Sequence, residues 1–374
     1  MNERSFIINK SLVTRNIAVF LILCNLFYFY FPVRPFVWRL LFLLVALFAF
    51  FSKTNHPTKI DKVIFSFIVF NFLYFLLSFI WINPTTTQIG NVLYCMSSFL
   101  LFSYLGRKGV LTPSFITISS ILFFLAGIAY FNHAASLYVG DQERFTNNAS
   151  VIFLMLIPVL FLIKQDYIRY SLLAISLFYL VMSVKRGNIV AAIIPVILLI
   201  WFSIRENRKS IFKVLLILIA VIALLYLIKD WIVGNQYFLD RLENTLEGNS
   251  SNRDAIYSSA WNLWLHSDSL INILFGYGYD GTIYNLYGNS RAHNDWLEIL
   301  VDYGIVGVFF YMSIFFSFIR ILCRLDDLQK KLTMFSAISI WFLKSCYSMG
   351  FTEEYLALLS IPVGVVMGAY QKTS

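Results

Sequence analysis

The chain has 374 residues, of which 59% are hydrophobic and 13% are charged, and it carries a formal net charge of +9. A soluble globular protein has about 25% charged and about 45–50% apolar residues. The excess of apolar residues is too large for a water-soluble core. Ordinary cytosolic enzymes are therefore excluded, and an integral membrane protein is indicated.

Long apolar runs, interrupted by short polar breaks, follow one another along most of the chain. Because a helix needs about 20 residues to cross a bilayer, these runs predict an all-α polytopic membrane protein with about twelve transmembrane helices in one domain, residues 1–374. The first fifteen residues are polar and basic and no cleavage motif follows, so the first run is expected to be an uncleaved signal anchor. The predicted spans are residues 16–33, 35–52, 63–82, 90–105, 114–131, 149–163, 170–184, 189–204, 213–229, 296–322, 332–349 and 355–370.

The distribution of Lys and Arg predicts which ends of the spans face the cytoplasm. With the N-terminus inside, every inner segment is basic, and these segments hold 19 of the 29 basic residues. Both termini are therefore predicted to be cytoplasmic. The net charge is mainly a topology signal, and nucleic acid is not an expected partner. On the outer side, Arg34, Arg39 and Lys229 lie near span ends and are expected to extend to the lipid headgroups.

One long segment, residues 230–295, separates two predicted spans on the predicted outer face. Loops of this length without a role are uncommon. Ser251 and Asn252 form a helix start signal, and apolar and aromatic residues then recur at helical spacing. The loop is therefore expected to contain an amphipathic helix that lies on the membrane or caps the bundle. The residues that carry this spacing are Arg253, Ile256, Tyr257, Ala260, Trp261, Trp264 and Leu265.

Two adjacent cations, Lys185 and Arg186, interrupt an apolar stretch and are followed by Gly187 and Asn188. This break can be a tight turn that holds both charges in water. It can also be an anion site, because the start of the following helix offers free backbone N–H groups beside the guanidinium.

The segment Gly276-Tyr277-Gly278-Tyr279-Asp280-Gly281 has the spacing of a dinucleotide-binding loop, but no buried strand precedes it and no βαβ unit surrounds it. A flexible turn is the favoured interpretation. Aromatic side chains in and after this segment could also stack on sugar rings. They are Tyr277, Tyr279, Tyr284 and Tyr287.

His293 and Asn294 lie where the long loop enters span ten. Asp295 and Glu298 suit the first turn of the following helix, where acidic side chains interact favourably with the helix dipole. The imidazole of His293 titrates near neutral pH and could act as a general base, or it could be a hydrogen-bonded structural residue. The sequence leaves both interpretations open.

No metal site is expected. No second histidine lies four residues after His293, which excludes one common zinc motif. The four cysteines share no metal-ligand spacing, which predicts neither a zinc site nor a disulfide framework. They are Cys24, Cys95, Cys323 and Cys346.

Over about residues 140–315, the chain resembles the O-antigen polymerase and O-antigen ligase superfamily of bacterial envelope glycosyltransferases. Lys185-Arg186-Gly187 is similar to the family's Ser-Arg-Gly block, with Lys in place of Ser. The other matching residues are Arg253 with Trp261 or Trp264 and Phe275-Gly276-Tyr277-Gly278, then His293-Asn294-Asp295-Trp296-Leu297-Glu298 with Tyr303-Gly304-Ile305-Val306-Gly307, and, more weakly, Arg144 before Asn147-Asn148.

The resemblance implies a GT-C-like, metal-independent glycosyltransferase without a cofactor, at the periplasmic face of the bacterial inner membrane. Its donor would be a glycan on undecaprenyl diphosphate. An acceptor sugar hydroxyl would attack the anomeric carbon as the lipid diphosphate leaves. Because arginine binds diphosphate bidentately and a high-pKa hydroxyl needs a base, roles can be assigned to the matching residues. They are Arg186, Arg253, Arg144 and Arg291 for the diphosphate, His293 as the base, and Lys185, Asn294 and Glu298 in support.

The resemblance leaves the acceptor open. A polymerase would transfer the growing glycan to a lipid-linked repeat unit, whereas a ligase would transfer the finished polymer to lipid A core. The abundance of Phe (38) and Tyr (22) favours the polymerase, because this bias is typical of proteins from O-antigen gene clusters. A lipid-linked oligosaccharide flippase is a weaker alternative, since it would need cations along a central cavity. Expected partners are the lipid-linked oligosaccharide, membrane lipids and a chain-length regulator protein.

Overall fold

The structure, a computed structural model, describes residues 9–30, 34–53, 55–80, 86–136, 148–183, 185–206, 253–286 and 291–373, with six isolated positions between 215 and 243. Every regular element within this part of the chain is helical, and no β-strand occurs there. The predicted all-α architecture is therefore confirmed for the described residues.

The helices follow the predicted spans in order. Short 3-10 helices cover Tyr28–Tyr30 and Glu354–Leu359. The α-helices are α1 (Lys10–Leu26), α2 (Pro35–Phe50), α3 (Lys59–Ser78), α4 (Thr86–Arg107), α5 (Pro113–Ser136), α6 (Ser150–Leu160), α7 (Asp166–Met182), α8 (Arg186–Glu206), α9 (Arg253–Leu265), α10 (Leu270–Phe275), α11 (Gly281–Asn285), α12 (Asp295–Cys323), α13 (Leu328–Tyr347) and α14 (Ser360–Thr373).

Five of these helices, α3, α4, α5, α8 and α12, are long and apolar enough to cross a membrane. Shorter apolar helices, such as α2 and α6, coincide with further predicted spans. The predicted span at 213–229 lies outside the described residues. The structure therefore supports a polytopic membrane protein, and the total of twelve spans stays a prediction.

Local side-chain signals explain where several helices begin. The hydroxyl of Thr58 accepts a hydrogen bond from the Asp61 N–H at 3.4 Å, and the Asp61 carboxylate accepts one from the Thr58 N–H at 2.7 Å. Asp327 accepts a hydrogen bond from the Lys330 N–H at 2.9 Å and so caps α13. These caps satisfy backbone donors that a first helical turn leaves free. Helix α5 begins instead at Pro113, whose fixed φ suits the first helical position.

Helix α4 lies at the centre of the bundle, with 16 of its 22 residues buried. It packs against α2, α3 and α14. Gly106 on α4 lies so close to Gly364 on α14 that a Cβ at Gly106 would be 1.8 Å from the Gly364 carbonyl oxygen. Small residues allow membrane helices to approach in this way.

Polar contacts join neighbouring helix ends at both ends of the bundle. At one end of the bundle, Arg107 forms an ion pair with Asp61 at 2.7 Å and donates to the Asn55 side chain at 2.8 Å. At the other end, the Lys185 ammonium donates to the Asn148 side chain at 2.6 Å. The candidate site residues that the structure describes lie at this second end.

The predicted helix in the long loop is confirmed as α9. Its residue Ala260 is buried in a small apolar cluster with Ala292 and Val301, and the latter belongs to α12. Trp261 is 45% exposed. Helix α9 therefore packs against the end of the bundle, as expected for a segment that caps it.

The expectation that Arg39 extends to the lipid headgroups is wrong. Arg39 is 8% exposed, forms an ion pair with Glu354 and donates to the Asn25 side chain at 3.0 Å. A buried charge requires such partners, and only the folded chain brings Glu354 beside α2. Arg34 is exposed, as expected, and Lys229 lies outside the described residues.

Candidate functional site

His293 lies immediately before α12 and adopts a left-handed backbone conformation with φ of 52°. The side-chain oxygen of Asn294 caps α12 by accepting hydrogen bonds from the N–H groups of Trp296 (3.0 Å) and Leu297 (3.2 Å). The Asn294 amide also donates to the carbonyl of Cys346, at the end of α13, at 3.0 Å. A left-handed conformation is uncommon for residues other than Gly. Here the cap holds the exposed side chain of His293 near the end of α13.

Asp295, the first residue of α12, has a buried carboxylate that anchors a distant segment. It accepts hydrogen bonds from the N–H groups of Gly350 (2.7 Å) and Phe351 (3.0 Å) and from the Tyr311 hydroxyl (2.7 Å). These donors satisfy the buried carboxylate. Asp295 therefore fixes the chain that follows α13 against the start of α12.

Arg291 and Glu298 form a second network beside His293. The Arg291 guanidinium pairs with Glu298 at 3.0 Å and with Asp280 at 2.9 Å, and it donates to Gln88. Burial lowers the pKa of Arg291, but the two carboxylates outweigh burial and hold the pKa above its usual value. The structure thus places Arg291 in contacts that join the long loop to α12.

Arg253 begins α9 and extends to the C-terminal end of α13. Its guanidinium donates to the carbonyl of Tyr347 at 2.7 Å. The last carbonyl groups of a helix lack intrahelical donors and carry partial negative charge, so a cation is favoured there. Since Asn294 contacts the same helix end, Arg253 and His293 lie side by side.

Lys185 and Arg186 occupy the break between α7 and α8. Lys185 is partly buried, and burial followed by the positive charge of Lys344 lowers the pKa of Lys185 to about 8. Arg186 begins α8, and a Cβ at Gly187 would meet no atom within 4 Å. The anion site at this break stays a prediction, and the partial burial of Lys185 beside the start of α8 is compatible with it.

Lys344 and Glu353 belong to the same cluster, although the sequence interpretation missed both. Lys344, on the last turn of α13, is 2% exposed. Its ammonium lies 3.8 Å from the Glu353 carboxylate and 3.5 Å from the side-chain oxygen of Asn188. A cation inside an apolar run is costly and commonly marks a functional position. The lysine within the predicted span 332–349 is the signal that could have revealed this site.

The surroundings of His293 lower its pKa and so favour the neutral imidazole. Partial burial lowers the pKa of His293, and the charges of Arg253, Lys185 and Arg291 lower it further. A neutral imidazole can accept a proton, whereas an imidazolium cannot. The only side-chain hydrogen bond to His293 in the described part of the chain reaches its backbone carbonyl, from Tyr257 at 3.4 Å. The His293 side chain is also exposed.

Two glycine-containing segments, both among the residues that carry the family resemblance, pack directly against each other. Tyr277 donates its N–H to the Val301 carbonyl at 2.8 Å. Gly276 and Gly304 have φ values of 76° and 65°, and a Cβ on either would lie 2.4 Å from backbone atoms of the opposite segment. Only Gly tolerates both the conformation and the approach. The interpretation of residues 276–281 as a flexible turn is therefore corrected, because this segment docks the loop on α12.

The tyrosines of this region are divided between core and surface. Tyr279 is 2% exposed and cannot stack on a sugar ring. Tyr277 donates its hydroxyl to the Leu263 carbonyl at 2.9 Å. Tyr284 is 46% exposed and remains a candidate, and Tyr287 lies outside the described residues.

Arg144 also lies outside the described residues, so its proximity to the site stays a prediction. In the part of the chain that the structure describes, no group of three or more His, Cys, Asp or Glu residues could hold a metal ion. All four cysteines are free thiols.

Comparison with known families supports the resemblance. A family model described as O-antigen ligase matches residues 171–312. The matched segment includes Arg186, Arg253 and His293, and it ends before Lys344. A search of curated proteins gave no significant match. Over residues 171–312 the chain is therefore similar to this family.

Proposed function

We propose that the chain is an O-antigen polymerase that transfers a growing glycan from undecaprenyl diphosphate to a sugar hydroxyl of a lipid-linked repeat unit. The observation that carries this proposal is the convergence of three cations and a neutral imidazole at one end of the bundle. These groups are Lys185, Arg253, Lys344 and His293. A diphosphate leaving group requires the cations, and an acceptor hydroxyl requires the base.

In the proposed reaction, the acceptor oxygen forms a bond to the anomeric carbon as the bond from that carbon to the diphosphate oxygen breaks. The electron pair of the broken bond leaves with the diphosphate. Arg253 and Arg186 stabilise this charge, because guanidinium groups bind phosphate oxygens bidentately. The hydroxyl proton passes to the neutral imidazole of His293. The scheme is metal-independent.

The other predicted residues take roles that follow from their contacts. Asn294 supports the segment around His293 by donating its side-chain amide to the Cys346 carbonyl, and Glu298 supports it by accepting a hydrogen bond from the Ala292 N–H. Arg291 is proposed to position this segment, since its guanidinium already binds two carboxylates. Arg144 keeps its proposed role toward the diphosphate.

We further propose a location in the bacterial inner membrane, with the site on the periplasmic face and both termini in the cytoplasm. The basic residues of the alternate segments support this orientation. Exposed apolar helix faces would contact membrane lipids and the polyprenyl tail of the donor. A chain-length regulator protein is a proposed partner.

The surface glycan of a deletion strain tests the polymerase assignment. Single repeat units on lipid A core are expected, because the ligase of the strain would still transfer them. Full-length polymer retained on undecaprenyl diphosphate would indicate a ligase instead. Unchanged surface polymer would contradict both activities, and complementation with the wild-type chain is the control.

A further inference from the structure

Lys344 is the most deeply buried cation of the cluster. It lies on the last turn of α13, within one helical turn of Tyr347, whose carbonyl binds Arg253. Its ammonium points to Asn188, which lies in the first turn of α8 shortly after Arg186. Lys344 therefore joins the two segments that carry the predicted diphosphate ligands.

The polar contacts of the Lys344 ammonium are long for a buried charge. The distances are 3.4 Å to the Ser348 hydroxyl, 3.5 Å to the Asn188 oxygen and 3.8 Å to the Glu353 carboxylate. Charge-assisted hydrogen bonds between N–H and oxygen normally measure about 2.7–2.9 Å. An ammonium removed from water without short hydrogen bonds is costly. A ligand with anionic oxygens would satisfy it better than these groups do.

The charge of the cluster matches a diphosphate diester. Lys185, Arg253 and Lys344 are cations, and Glu353 lies 3.8 Å from the Lys344 ammonium. With a neutral His293, these groups carry a net charge of about +2 at neutral pH. Burial lowers the pKa of Lys185 most, and repulsion by the positive charge of Lys344 lowers it further. A diphosphate that links a lipid to a sugar carries about two negative charges. Its binding would remove this repulsion.

We propose that Lys344 is a direct ligand of the donor diphosphate and that Glu353 pairs with the Lys344 ammonium until the substrate binds. This inference rests on the proposed function and extends its site to residues beyond the matched segment 171–312. When the donor binds, a phosphate oxygen replaces the Glu353 carboxylate as the partner of Lys344.

Binding of farnesyl diphosphate to the purified full chain in nanodiscs tests this assignment, with farnesol as the uncharged probe. Lys344→Met is expected to weaken diphosphate binding roughly 10- to 100-fold, the usual range for a hydrogen bond to a charged group. Farnesol binding should stay unchanged. Lys344→Arg should retain most of the affinity, because the cation is kept. Lys330→Met is the matched control, since Lys330 lies at the opposite end of the same helix and pairs with Asp327.

Glu353→Gln is expected to change diphosphate affinity in the opposite direction to Lys344→Met. Removing the carboxylate frees Lys344 and raises the positive charge of the cluster, so diphosphate affinity should increase severalfold. A purely structural Glu353 would give weaker binding on substitution. If Lys344→Met alone unfolds, the double variant Lys344→Met with Glu353→Gln replaces it in the binding test, because the double variant leaves no unpaired carboxylate.

The outcomes separate the inference from the proposed function. Unchanged diphosphate affinity in Lys344→Met, or an equal loss in Lys330→Met, would overturn the role of Lys344. Weaker binding by Glu353→Gln would overturn the role of Glu353. Failure of the wild-type chain to bind farnesyl diphosphate would overturn both the inference and the proposed function.

Discussion

At the scale of single residues, His293 combines exposure with an environment that keeps it unprotonated. Its backbone is held in the left-handed region by the cap of Asn294, while partial burial and then the charges of Arg253 and Lys185 lower its pKa. A base surrounded by cations is weaker than free imidazole but stays in its active form at lower pH. The same cations stabilise the leaving group, so the two functions are linked.

His293→Ala is expected to reduce turnover of purified lipid-linked repeat units roughly 10²- to 10⁴-fold, the usual contribution of a positioned general base. In the wild type, activity should fall as the pH drops through a pKa below 6.5, because the protonated ring cannot accept a proton. Lys185→Met removes one charge that lowers this pKa and should move the acid limb to higher pH. Near-normal turnover by His293→Ala would return the residue to its structural interpretation, and His266→Ala is the control.

Arg253→Ala is expected to abolish nearly all turnover while the protein still inserts, because the diphosphate loses a bidentate partner. Arg253→Lys should retain a little activity, since Lys supplies charge without the planar fork. The same in vitro assay measures both variants. Arg324→Ala, at the other end of the bundle, is the control. Polymer at wild-type levels from Arg253→Ala would remove this residue from the site.

At the scale of elements, the site depends on how the long loop docks against α12. Helix α12 is kinked at Gly304, where the backbone leaves the helical conformation. The kink creates the space in which the Gly276 segment packs. This contact holds α10 and α11 against α12, and through them the carboxylate of Asp280 that binds Arg291. A pair of glycines far from the chemistry thus positions the segment around His293.

Gly276→Ala is expected to destabilise this docking. The φ of 76° with ψ of −172° alone costs about 1–3 kcal/mol for a residue other than Gly. The added Cβ would also meet the Asp302 backbone at 2.4 Å. The thermal midpoint should fall, and proteolysis within residues 253–286 should accelerate.

Gly90→Ala is the control for this variant, because its Cβ would meet Phe36 at an ordinary 3.6 Å. Equal stability of Gly276→Ala and Gly90→Ala would refute the docking role of the glycine pair.

At the scale of the whole molecule, the two ends of the bundle differ in the charges that they hold. One end carries the Arg107–Asp61 pair, and the other carries the cluster of Lys185, Arg253 and Lys344. A donor that is assembled on a lipid would approach the second end from the membrane. The proposed orientation of this end toward the periplasm is therefore required for the proposed reaction.

Cysteine labelling of intact cells tests this orientation. In a chain whose natural Cys323 and Cys346 are replaced by Ser, Asp268→Cys should react with a membrane-impermeant maleimide, because it lies in the loop between α9 and α10. Asp326→Cys, between α12 and α13, should react only after lysis. The reverse pattern would place the candidate site in the cytoplasm and exclude the proposed reaction.

The sequence by itself determined the class of the protein and the order of its helices, and it predicted several residues that the structure brings together. Apolar runs, helix caps and the spacing of the α9 residues are local properties, because each depends on neighbours within a few turns. The segments around Lys185, Arg253 and His293 could be recognised for the same reason, since each is a short motif.

Only the tertiary structure decided which charged and polar side chains meet. Arg39 and Glu354 are separated by 315 positions, and Arg291 and Gln88 by 203, so no local pattern could pair them. The same holds for Lys344, whose proposed role depends on α8 and α13 lying side by side. A buried charge is stable only with partners that packing supplies. These contacts therefore distinguish Arg291, which binds two carboxylates, from Arg253 and Lys344, which lie in the cationic cluster.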